Sequence, residues 1–143
     1  MVNNQEHRKL ASGACITREG LDGRIKIING PVYDLSKAQQ LLKTYGLRVV
    51  NEDAQEDQQD LDPELSDEEL TQFILALIED DHVESERCRT SIGQTLDCDA
   101  YTMKWNRNRR RRWEYGAKLY VKFGFSEHNN LRCLVVSIHR SRW

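Results

Sequence analysis

Late in the chain, Tyr120 and Lys122 stand two residues apart in the string KLYVKF, His139 ends VVSIH, and Lys104 stands in TMKW. A phenol, an imidazole and two ammonium groups suit a phosphodiester, because charge grows on the phosphoryl oxygens while a nucleophile is deprotonated and a leaving oxygen is protonated. RNA supplies its own nucleophile, the ribose 2′-hydroxyl. His139 is the best proton carrier of the set, since an unperturbed imidazole titrates near pH ~6.5. Tyr120 could orient the phosphate, share the proton transfer or stack a base, and Lys122 and Lys104 would stabilise a phosphorane-like transition state. Lys and Tyr are not metal-binding choices at neutral pH. Cys15, Cys88, Cys98 and Cys133 stand far apart with no CxxC pair, so neither a metal nor another cofactor is expected.

A second set is the run RNRRRRW, in which Arg107, Arg109, Arg110, Arg111, Arg112 and Trp113 combine phosphate-binding guanidinium groups with an indole for stacking. Arg87 and Arg89 are expected to join the same nucleic-acid surface. Residues 1–100 hold 10 Lys+Arg against 21 Asp+Glu, a balance of −11, whereas residues 101–143 hold 11 against 2, a balance of +9. Such asymmetry points the last third of the chain towards a polyanion, with the acidic part either solvating the chain or covering the basic surface when the polyanion is absent.

The elements that must position these groups are legible from periodicity. Residues 98–105, 115–125 and 131–139 alternate with period two and read as an antiparallel meander. One face then carries Tyr101, Met103, Trp105, Leu119, Val121, Phe123, Leu134, Val136 and Ile138, which is a core face. The other carries Cys98, Thr102, Lys104, Tyr120, Lys122, Ser137 and His139. A helix over 35–45 is capped by Asp34 and stopped by Gly46. Another over 67–78 follows the capping-box spacing of Ser66 and Glu69 and shows an apolar stripe at Leu70, Phe73, Ile74, Leu77 and Ile78. Ile25, Ile27 and Ile28 between glycines suggest a short strand or hairpin. Residues 1–12 read as a flexible arm, 51–62 as a flexible acidic loop, and the segment DDHVESERCRTSIGQ as a connection.

With 143 residues, 38% hydrophobic and 31% charged, the chain is expected to form one α+β domain over 1–143, an antiparallel sheet of at least three strands packed on helices. No apolar run is long enough to span a bilayer and the first ten residues lack the apolar centre of a signal peptide, so a cytoplasmic protein without a membrane partner is expected.

Over about Glu69–His139 the strings LTQFILALIEDD, CDAYTMKW, KLYVKF and VVSIH, with weaker similarity in PVYDLSKAQQLLKTYG, resemble the MqsR family of toxins from bacterial toxin–antitoxin pairs, which are RelE-like ribonucleases. The resemblance implies a RelE-like, microbial-ribonuclease-like fold, ribosome-independent cleavage of mRNA, and a cognate antitoxin as partner. The family's catalytic tyrosine in its Y-x-K string looks like Tyr120, followed by Lys122. Its D-x-Y pair looks like Asp99 and Tyr101, which point to the core here and are structural. Three positions depart from the family: Glu84 stands for a lysine, whose role would pass to Arg87 or Arg89, Cys98 for a glutamine, and His139 for the last lysine. The expected function is thus an mRNA-cleaving toxin acting by metal-free attack of the 2′-hydroxyl. The alternative is a non-catalytic nucleic-acid- or partner-binding module on the same fold.

Overall fold

The computed structural model describes residues 6–126 and 131–141. In chain order its elements are β1 (Thr17–Glu19), β2 (Ile25–Ile27), α1 (Leu35–Tyr45), β3 (Leu47–Val49), α2 (Glu52–Asp60), α3 (Asp67–Leu75), β4 (His82–Arg89), β5 (Thr95–Asn106), β6 (Arg111–Arg112), β7 (Ala117–Gly124) and β8 (Cys133–Arg140). The strands form one mixed sheet in the order β1-β2-β4-β5-β7-β8-β3, with β6 pairing the end of β5. Every pairing is antiparallel except β3 with β8. The architecture is α+β, and β5, β7 and β8 form the expected meander.

The two expected helices form for the expected reasons. The Asp34 carboxylate accepts from the Lys37 N–H at 3.1 Å and Gly46 sits at φ 79°, while the Ser66 hydroxyl accepts from the Glu69 N–H at 3.1 Å. The second helix stops at Leu75 rather than continuing to residue 78, because the Gln39 amide on α1 donates to the carbonyls of Ile74 and Leu77, both at 3.0 Å, and closes the helix end from the side. Both helices cover one face of the sheet, where Leu42, Leu70, Phe73, Tyr101, Met103, Trp105, Val121 and Phe123 are buried together. Burial of Leu70 or Phe73 contributes about 1.5–3 kcal/mol each relative to exposure.

Two segments differ from the sequence expectation. The acidic stretch 51–62 is not a loop: it contains α2, whose only inward positions are Ala54 and Gln58. Ala54 enters the core, and the Gln58 amide donates to Asp67 at 2.7 Å. Glu52 and Asp53 lie at its N-terminal end, where carboxylates favour the helix dipole. The connection after α3 holds β4, which presents charged or polar side chains to both faces and so shows no hydrophobic period. Within the expected arm, residues 6–10 are packed, with the His7 ring stacked on Tyr33 at 5.8 Å and the Arg8 guanidinium donating to Asp97 at 2.9 Å. Residues 1–5 and the polar turn at 127–130 lie outside the described residues.

A bulge on β8 corrects the face assignment of two residues. Lys122 pairs with Ser137 but Phe123 pairs with Val135, so Val136 is the extra residue and parity changes there. Leu134 and Val136 therefore leave the helix face and join Val50, Leu96 and Cys98 in a small cluster on the opposite face. Ser137 and His139, beyond the bulge, keep the expected side.

Candidate active site

The face away from α1 and α3 is the candidate site. Register places Tyr120 opposite His139 on β8 and opposite Thr102 on β5, and Lys122 opposite Ser137 and Ala100. The Tyr120 and His139 rings stack with centroids 4.8 Å apart and planes 11° from parallel. The His139 Nδ1 donates to the carbonyl of Arg140 at 2.8 Å, because a carbonyl only accepts. The neutral ring then has its lone pair on Nε2, the nitrogen left for proton transfer.

Strand β4 completes the arrangement with two carboxylates outside the expected catalytic set. Glu84 and Glu86 pair with Ala100 and Cys98 and so share the face of Tyr120. The Tyr120 hydroxyl donates to Glu84 Oε2 at 2.9 Å. From β2, the Lys26 ammonium donates to both carboxylates, at 2.6 Å to Glu86, and the Lys122 ammonium reaches Glu86 Oε2 at 3.3 Å. The sequence signals for this pair are the alternation of Glu84 and Glu86 and the place of Glu84 where the resembled family has a lysine.

Electrostatics assign the groups distinct states. Burial alone would raise the Glu84 carboxyl, but hydrogen bonds from Lys26 and Tyr120 outweigh it and hold the group below the usual carboxylate range. Burial, and then the Glu84 charge, push the Tyr120 phenol far above its ordinary value, so it is a neutral donor at physiological pH. Tyr120, Lys122 and Glu86 are less than a tenth exposed, while Glu84 and His139 are half-buried and keep edges in solvent. The expected polar, aromatic and basic face is thus a mixed-charge network. It can hold a carboxylate base and an imidazole at the two sides of one phenol.

Lys104 does not converge with this group. It lies one same-face step beyond Thr102, is exposed, and pairs across the strands with Lys118. Arg87 and Arg89 are on the other face, with Ser85 and Asp99, and Arg87 donates to Asp97 at 2.8 Å. Hydrogen bonds and charge from Arg87 and Arg8 overcome burial and hold the Asp97 carboxyl low. Asp99 and Tyr101 are buried on the helix face.

The arginine run divides into two classes. Arg107 donates to Glu69 at 2.6 Å and to the Pro63 carbonyl at 2.7 Å, and Trp105 Nε1 donates to the same carboxylate at 3.0 Å. Arg110 lies 3.7 Å from Glu68, and Arg112 grips Asp81 at 2.5 Å. Arg109 and Arg111 are exposed and have no side-chain partner among the described residues. Arg107→Ala is therefore expected to destabilise the fold by about 2–3 kcal/mol, because Glu69 would remain buried with its charge uncompensated. Urea denaturation checks this: Arg109→Ala should leave the midpoint in place, and an equal shift in both variants would contradict the division.

No group of His, Cys, Asp and Glu among the described residues is arranged to hold a metal ion, and no helix among them is long and apolar enough to cross a membrane. Compared with protein-family models, with curated proteins and with solved structures, the chain gives no match.

Proposed function

We infer that the protein is an endoribonuclease that cleaves mRNA through its own 2′-hydroxyl, and that it acts as the toxin of a toxin–antitoxin pair. The observation that carries the nuclease reading is the Glu84–Tyr120–His139 row, with the Tyr120 hydroxyl 2.9 Å from Glu84 and the Tyr120 ring 4.8 Å from the His139 ring. Glu84, held ionised, takes the 2′-hydroxyl proton. In its imidazolium form, with Nδ1–H held on the Arg140 carbonyl, His139 delivers the second proton, on Nε2, to the leaving 5′-oxygen and is left neutral, and the Tyr120 hydroxyl orients the groups between them. Lys26 and Lys122 offset the charge that grows on the phosphate. The toxin assignment and a RelE-like fold rest on the resemblance to MqsR toxins, supported by the α+β architecture and the adjacency of β5, β7 and β8.

The test is incubation of the purified protein with mRNA in excess chelator, followed by end mapping. Internal cleavage leaving 2′,3′-cyclic phosphates is expected to persist without divalent metal. Intact RNA at high protein concentration would reject the nuclease reading. For the toxin assignment, induction in a bacterial host should arrest growth and a small protein encoded beside the gene should relieve it; unimpeded growth would reject that part.

A non-catalytic module that binds nucleic acid is favoured by one observation, the near-complete burial of Tyr120, Lys122 and Glu86 in mutual contacts. It requires RNA affinity to fall with salt and on neutralising Arg109 and Arg111, with no cleavage at all.

A further inference from the structure

Beside the Tyr120 row, a notch of about 360 Å³ opens where β5 passes from its pairing with β4 to its pairing with β6. Thr102, the strand partner of Tyr120, lines it together with Lys104, Trp113 and Lys118, and the carboxylates of Asp80, Asp81 and Glu114 share its wall. The indole of Trp113 is 43% exposed, held in place because its backbone N–H donates to the Lys104 carbonyl at 3.0 Å and its ring meets Tyr115 edge-on at 5.6 Å. Lys104 and Lys118 face each other across β5 and β7 and make no ion pair among the described residues, whereas Arg112 at the notch wall is committed to Asp81.

We propose that this notch is a nucleotide subsite, which takes the nucleotide next to the scissile phosphate of a single-stranded RNA. The inference deepens the nuclease reading and rests on it. The base would lie on the Trp113 indole, since stacking on an exposed ring needs no particular base edge. The adjoining phosphate would lie between the Lys104 and Lys118 ammonium groups, a pair of like charges that no bonded carboxylate offsets. Glu114, at the same wall as Trp113, adds an acceptor for a base that offers an amino group, so cytosine is favoured over uracil, whose pairing edge is flanked by two carbonyl acceptors. Lys104 is then a binding residue, separate from proton transfer. The step from Thr102 to Lys104 along the strand, about 6.8 Å for two residues, sets the phosphate apart from the Tyr120 row by the length of a nucleotide rather than placing it on the row.

The experiment titrates the full chain with 2′-O-methyl oligocytidine and oligouridine, which cannot be cleaved for want of the free hydroxyl, and follows binding by anisotropy and cleavage of an unmodified RNA in parallel. Trp113→Ala and the Lys104→Ala/Lys118→Ala pair are each expected to weaken oligocytidine at least tenfold and to raise KM for cleavage while kcat stays within about twofold. Trp113→Phe should retain most affinity, and Glu114→Gln should narrow the preference for oligocytidine over oligouridine. Unchanged affinity in Trp113→Ala and in the lysine pair, with cleavage intact, would overturn the subsite and leave the nuclease standing. Loss of kcat instead of KM would place Lys104 or Lys118 in the chemistry and equally overturn it. A wild-type protein that neither binds nor cleaves RNA would remove the nuclease reading and the subsite together.

Discussion

Glu84→Gln should lower the rate of RNA cleavage by roughly 10²–10⁴-fold, the span that a positioned general base contributes, while RNA affinity changes little. The substitution keeps the shape of the side chain and an oxygen to accept from the Tyr120 hydroxyl, but an amide cannot take a proton from the ribose. His139→Ala should cost a similar factor, because the leaving oxygen loses its donor and the Tyr120 ring loses the stack seen at 4.8 Å. Tyr120→Phe, which removes only the hydroxyl bonded to Glu84, should cost less. The Glu84→Gln/His139→Ala double variant should be far less impaired than the product of the singles, as is usual for groups that act as a unit. Single-turnover cleavage measures all four. Undiminished rates in both Glu84→Gln and His139→Ala would sink the assignment, and a rate lost only in Lys122→Ala would move the chemistry to the ammonium groups. The acidic limb of the pH–rate profile should lie below the ordinary carboxylate range, because Lys26 and Tyr120 hold Glu84 ionised.

Half of this site is legible in sequence because a sheet with one buried face obeys parity. Leu119, Val121 and Phe123 must face the helices, so Tyr120 and Lys122 must not, and the same alternation on β8 turns His139 outward. The carboxylate half is hidden. β4 is polar on both faces, since Ser85 and Arg87 are tied to Asp99 and Asp97 on the helix face while Glu84 and Glu86 meet cations on the other. A strand held by polar pairs gives no hydrophobic signal. The same reason hides α2, whose inward residues are an alanine and a glutamine.

The charge asymmetry has a related lesson. Its opposite halves pair with each other, Glu69 with Arg107 in a largely buried contact, and Glu68 and Asp81 with Arg110 and Arg112 at the surface. Those acids come from α3 and the turn before β4, whereas the side chains of α2 make no ion pair among the described residues. A basic run read in isolation overstates the cations available to a ligand: within the run, Arg109 and Arg111 are left exposed without an ion pair among the described residues, as are Lys104 and Lys118 beside it.

Asp99→Ala should destabilise the protein by about 3–5 kcal/mol, a large share of the total stability of a small domain. The carboxylate has no exposed surface and accepts three hydrogen bonds, from the Val32 N–H at 2.8 Å, the Tyr33 N–H at 2.9 Å and the Ser85 hydroxyl at 2.7 Å. It thereby pins the segment that leads into α1 against the middle of the sheet. Gly30 permits the approach, because a Cβ there would stand 2.2 Å from the Ser85 hydroxyl oxygen. Alanine leaves the Val32 and Tyr33 N–H groups buried without an acceptor, while the Ser85 hydroxyl keeps only the His82 ring nitrogen at 2.9 Å. Asp99→Asn keeps the volume but points an NH2 group at the Tyr33 N–H or at the other two donors, so it should cost less than alanine and more than Ser85→Ala. Burial pushes the Asp99 carboxyl up despite those donors, so the native state holds its proton more tightly than the unfolded chain. The stability contributed by this group is then full below the unfolded value of about 3.9 and falls as pH rises through the native one. The deficit of Asp99→Asn should accordingly be larger at the acidic end of that window than at neutrality. Denaturant titrations at several pH values measure both the order and the slope, and an Asp99→Asn protein as stable as the parent at every pH would show that the three hydrogen bonds do not hold the sheet and the helix entry together.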